Sequence, residues 1–112
     1  MSHLTTHVLD TSIGHPGKGI AVFLEVFNGS GWTGFAEGET NDDGRVPDFI
    51  PEDVILEKGI YRITFETEAY FNAREVKSFY PYVAIVFEID SGDHYHVPLL
   101  LNPYGYSTYR GS

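Results

Sequence analysis

The residues in this chain of 112 that could act together chemically are its histidines, one arginine in an acidic turn and the last four residues. That ending, Tyr109-Arg110-Gly111-Ser112, sets a ring, a guanidinium, a flexible glycine and a hydroxyl just past an apolar run, residues 95–101. Between them lies a tight turn, Asn102-Pro103-Tyr104-Gly105. Chain ends ordinarily fray. Useful groups leaving a hairpin are expected to lie in a site, with the terminal carboxylate beside them. The histidines are His3, His7, His15, His94 and His96. Imidazole titrates near neutrality and suits general acid–base work. Arg45 follows Asn41-Asp42-Asp43-Gly44. It either pairs with Asp42 or Asp43 at the surface, which is worth little, or offers a planar cation to a carbonyl or oxyanion. Ser112 is a nucleophile or a hydrogen-bond donor.

Other chemistries find less support. His94 and His96, two apart on a strand, project the same way and could share zinc, but a third ligand would have to come from His7 or a distant carboxylate. No metal or other cofactor is expected. His94, beside a turn, reads as solvated. A Gly-x-Ser-x-Gly elbow is absent, so a serine–histidine–aspartate triad is weakly supported. The glycines at 29, 31, 34 and 38 lack the lysine and following helix of a phosphate loop. Asp42-Asp43 reads as a solvated turn. There is no cysteine, which removes disulfides and thiolate catalysis.

Composition bounds the partners. Sixteen acidic against seven basic residues give a net charge of −9, which repels phosphate, so no nucleic acid is expected. No apolar run reaches the length of a membrane helix, and Met1-Ser2-His3-Leu4 does not open a signal peptide. The cytoplasm is the expected compartment. The length fits one domain, residues 1–112, burying roughly 65% of its unfolded surface.

The elements that must position these groups are short, β-branched and aromatic, and bounded by Gly, Pro, Asn and Asp. That pattern predicts an all-β sandwich or barrel. Strands are expected over residues 3–10, 20–28, 32–39, 60–67, 83–90, 94–101 and 104–110, with a short edge strand over 53–56. Gly14-His15-Pro16-Gly17 reads as a turn. Residues 67–77 favour two or three turns of helix. Alternation puts Leu4 and Val8 on one face of the first strand and Thr5, His7 and Leu9 on the other. It puts Tyr95, Val97, Leu99 and Leu101 on the core face of a later strand, with His94, His96, Pro98 and Leu100 opposite. Ser107, Tyr109 and Gly111 share a face. An outward face carrying Leu9, Pro98 and Leu100 is too apolar to stay wet and predicts an oligomer interface with polar groups at its centre.

Two blocks carry a resemblance: Leu4-Thr5-Thr6-His7-Val8-Leu9-Asp10-Thr11 with Gly14-His15-Pro16-Gly17, and residues 95–108, Tyr95-His96-Val97-Pro98-Leu99-Leu100-Leu101 onward. Together with Gly59-Ile60-Tyr61-Arg62 and Glu68-Ala69-Tyr70-Phe71, they resemble the transthyretin-like family along nearly the whole chain. That family holds hormone carriers and 5-hydroxyisourate hydrolases, and the chain resembles the hydrolase kind. The resemblance implies an all-β, two-sheet sandwich of about eight strands with one short helix. It further implies a homotetramer, a dimer of dimers with sites at the dimer–dimer interface, and a small purine-derived substrate. It places catalytic roles on His7, Arg45, His96 and Ser112, and substrate contacts on His7, Arg45, Tyr109 and Arg110. It puts the first, sixth and last of the expected strands side by side. The alternative is a non-catalytic carrier of small aromatic ligands; Tyr109 and Arg110, by shortening the channel, argue for turnover. A generic sandwich interaction module fits less well.

Overall fold

The computed structural model describes residues 2–111. Its strands are β1 (Leu4–Asp10), β2 (His15–Pro16), β3 (Ala21–Phe27), β4 (Trp32–Glu39), β5 (Gly59–Phe65), β6 (Val83–Ile89), β7 (Tyr95–Asn102) and β8 (Gly105–Thr108). They form two four-stranded sheets, ordered β2-β1-β7-β8 and β4-β3-β5-β6. The chain is therefore the two-sheet sandwich expected, with one short helix, α1 (Thr67–Ala73). No described helix is long and apolar enough to cross a membrane.

Alternation builds the core. Leu4, Val8, Val97, Leu99 and Leu101 bury one face of the first sheet against Val22, Leu24, Ile63, Phe65, Ile85 and Ile89 of the second. Each such burial contributes roughly 1.5–3 kcal/mol. β1 and β7 run parallel from Leu4↔Tyr95 to Asp10↔Leu101, which fixes the faces of the histidine strands relative to one another. Thr6 and Asp10, the polar residues on the core face of β1, are satisfied. Thr6 donates to the carbonyl of Val97 (2.7 Å). The buried Asp10 accepts from the Ser12 amide (3.0 Å) and the Tyr70 hydroxyl (2.7 Å). Burial, then that bond, pushes Tyr70 up to about 12.

Three expectations are corrected. Residues 53–56 are not a strand. They form a loop turned by Val54 N–H to the Pro51 carbonyl (3.0 Å) and fastened by the Leu56 amide to Nδ1 of buried His3 (2.9 Å). His3 then donates from Nε2 to the Ser91 carbonyl (3.0 Å), so it staples two loops. The eighth strand is His15–Pro16, read from sequence as a turn. The helix stops at Ala73, short of Lys77. There the Glu75 amide bonds the Asn72 carbonyl (3.0 Å) and the Val76 amide the Phe71 carbonyl (2.9 Å), with Glu75 at φ 59. That is the Schellman closure. It satisfies the last carbonyls and turns the chain away, overriding the helical preference of the residues that follow.

Candidate active site

The parallel pairing of β1 with β7 sets Thr5 opposite His96, His7 opposite Pro98 and Leu9 opposite Leu100, all on the face turned from the core. His7 and His96 are thus diagonal neighbours, both half-buried. Arg45 reaches them from another segment through an antiparallel bridge to His7. A compact turn makes that bridge. Asn41 Oδ1 accepts from the amides of Asp43 (2.9 Å) and Arg45 (3.1 Å). The Val8 amide bonds the Gly44 carbonyl (2.8 Å). Gly44 has φ +76, and a Cβ there would lie 2.3 Å from the Val8 carbonyl oxygen. Only glycine lets the turn close against β1.

The tail returns to the same place. β8 pairs Thr108 with Leu99, and the ladder resumes at Gly111, whose amide bonds the His96 carbonyl (2.8 Å). The register is unchanged across the break, so Tyr109 stands opposite Pro98. Proline has no N–H to give the ladder. The Pro98 carbonyl takes the Thr108 hydroxyl instead (2.7 Å). This is why β8 ends at Thr108 and not at Arg110, as sequence led us to expect. Gly111 lies against the His96 ring: an added Cβ would sit 2.6 Å from its Cδ2.

His7, Arg45, His96 and Gly111 are therefore gathered, and Tyr109, 60% exposed, stands on the same edge. Arg110 is not brought to them. Its guanidinium lies 4.3 Å from the centroid of Tyr95, a core-face residue, so it anchors the tail from the opposite side of the sheet. Ser112 lies outside the described residues. A separate hollow of about 780 Å³, lined by Phe23, Phe35, Glu37, Arg62, Thr64 and Tyr82, is on the other sheet and contains none of the histidines.

The site is cationic although the chain is acidic. Asp42 is taken by Lys18 (2.9 Å), and among the described residues Arg45 has no ion pair. Burial first, then Arg45, His7 and His94, hold the His96 imidazole below its ordinary value of 6.5. A half-buried histidine kept neutral beside a fixed guanidinium can accept a proton while the guanidinium polarises a carbonyl.

Sequence reasoning missed two neighbours. His94 is half-buried and hydrogen-bonded rather than solvated, and Thr5 joins it to His96 (3.2 and 2.8 Å). The alternation that put Thr5 beside His7, and His94 beside His96, was the available signal.

The sequence profile of the HIUase/Transthyretin family matches residues 4–111. The chain belongs to that family. A probable 5-hydroxyisourate hydrolase of Caenorhabditis elegans is 48% identical over 97% of the chain and 80% of its own length. The solved 5-hydroxyisourate hydrolase of Klebsiella pneumoniae superposes with a TM-score of 0.87 at 40% identity, covering 99% of this chain and 100% of that one. Sea bream transthyretin, solved with thyroxine, superposes at 0.90 with 29% identity, covering 97% and 94%. Hydrolases and a thyroxine-bound transthyretin thus share one fold, and the fold alone does not choose between them.

Proposed function

We propose that the chain is a cytoplasmic 5-hydroxyisourate hydrolase working as a homotetramer. It opens the six-membered ring to give 2-oxo-4-hydroxy-4-carboxy-5-ureidoimidazoline. The observation that carries this reading is Arg45 bridged to His7, with His96 its diagonal neighbour, on the face turned from the core. The higher identity to the hydrolases than to the transthyretin supports it. Half-buried Leu9 and Leu100 beside the histidines suit a subunit interface, with sites at the contact between dimers.

Hydrolysis of a cyclic amide needs an activated water, a stabiliser for the oxyanion and a proton for the leaving nitrogen. His96, held neutral, takes the proton from water. Arg45 grips the carbonyl and the developing oxyanion. The imidazolium formed on His96 then gives that proton to the leaving nitrogen, while His7 holds the purine. Tyr109 walls the pocket, and Ser112 orients water. Arg110 contributes through its stack on Tyr95, which fixes the tail. Freshly generated 5-hydroxyisourate loses its ultraviolet absorbance spontaneously. Catalytic amounts of the protein are expected to accelerate that loss many-fold, whereas a carrier would leave the decay unchanged or slow it.

Two expectations follow from the surroundings of His96. Its neutral form is the active one, so kcat/KM falls as the pH drops through a value below 6.5. A pH–rate profile with its acid limb above that value contradicts the assignment. Gly111→Ala pushes a methyl into the His96 ring. Misplacement by about 1 Å can cost about 100-fold, so a loss of at least tenfold in kcat with a nearly unchanged melting temperature is expected. Normal kcat in that variant would mean that the ring position does not matter.

A further inference from the structure

Two residues that the proposed reaction does not use form a chain of hydrogen bonds ending on His96. The Ser2 carbonyl lies 2.6 Å from Nδ1 of His94. Nε2 of His94 lies 3.2 Å from the Thr5 hydroxyl, which lies 2.8 Å from Nδ1 of His96. The two rings are nearly parallel, at 16°, with centroids 6.5 Å apart.

Chemistry gives each contact a direction. A carbonyl only accepts, so Nδ1 of His94 carries a proton. Neutral His94 then has a lone pair at Nε2 and must accept there. The Thr5 hydroxyl has one proton, and it goes to His94. Its oxygen is left to accept from His96, so the proton of His96 sits on Nδ1. Nε2 of His96 is bare.

We propose that Thr5 and His94 are positioning residues that hold His96 as its Nδ1–H tautomer, leaving Nε2 as the base that takes the proton from water. This rests on the reading of His96 as the base. The opposite order of bonds requires His94 to be doubly protonated: it would donate to Thr5, Thr5 would donate to Nδ1 of His96, and neutral His96 would carry its proton on Nε2, with no base left. Among the described residues, the groups gathered around His96 are Thr5 and His7 from β1, Arg45 from the turn bridged to β1, His94 from just before β7 and Gly111 from the tail. None of them is a carboxylate, so among these groups only the hydroxyl and backbone contacts orient the ring. A hydroxyl-and-imidazole relay here does the work that a carboxylate does in a serine hydrolase, where the wrong tautomer is severely damaging.

The test uses the whole protein labelled with 15N at histidine, without substrate, at a pH where the histidines are neutral. His96 is expected to show a protonated Nδ1 and a bare Nε2. Thr5→Val is expected to shift it toward the Nε2–H tautomer and lower kcat at least about tenfold, with KM within about twofold. Thr5→Ser is expected to restore both. If Thr5→Val does not fold, His94→Phe keeps the ring and removes the acceptor, and the same shift is expected. A wild-type His96 protonated at Nε2, or a tautomer unmoved in the folded variant, overturns the proposal. An inactive wild type whose His96 still carries its proton on Nδ1 would contradict the hydrolase reading while supporting the tautomer assignment.

Discussion

Replacing His96 with alanine is expected to lower turnover of 5-hydroxyisourate at least about 100-fold and to leave the protein folded. A positioned acid–base group typically contributes about 10²- to 10⁴-fold, so about 2.7 kcal/mol is the least the imidazole should supply. The fold should survive for two reasons. The side chain points away from the core. The bond from Gly111 is accepted by the His96 backbone carbonyl, which alanine keeps. The check is kcat from ultraviolet decay beside the melting temperature of the same sample. A folded variant within a few-fold of the parent would remove His96 from the chemistry.

Arg45→Ala is expected to cost at least about 100-fold as well, for a different reason. Removing one donor to a developing oxyanion typically costs about 10²- to 10³-fold. Arg45 is exposed, and its backbone is held by Asn41 and the Gly44 turn rather than by the guanidinium, so stability should change little. A second readout separates it from His96. Arg45 is one of the charges that lower the His96 pKa. Without it, the acid limb of the residual activity should move to higher pH. Near-normal turnover, or a limb that does not move, would leave Arg45 outside the site.

Much of this was legible in the chain, because a strand's period of two is written directly in residue order. Leu4 and Val8 against Thr5 and His7, and Val97 and Leu99 against His96, gave the faces before any coordinates. What could not be read was what depends on distant backbone. That the turn at Asn41–Gly44 docks on Val8 needs the third dimension. So does the break that Pro98 makes opposite Tyr109, which ends β8 early and leaves Arg110 on Tyr95. Residues 53–56 looked like a strand because Val54 and Ile55 are β-branched, yet a buried histidine fifty-three positions away claims the Leu56 amide. His94 looked solvated because it follows a turn, and only the packing of Ser2 and Thr5 around it reveals its bonds.

The most direct test of the account is where a flat purine binds. In a crystal of the protein soaked with urate, a stable molecule of the substrate's size and shape, density is predicted against Arg45, His7 and His96, with Gly111 beside it. Density only in the hollow between Phe35 and Arg62 on the other sheet, or anywhere that leaves the two imidazoles and the guanidinium untouched, would contradict it.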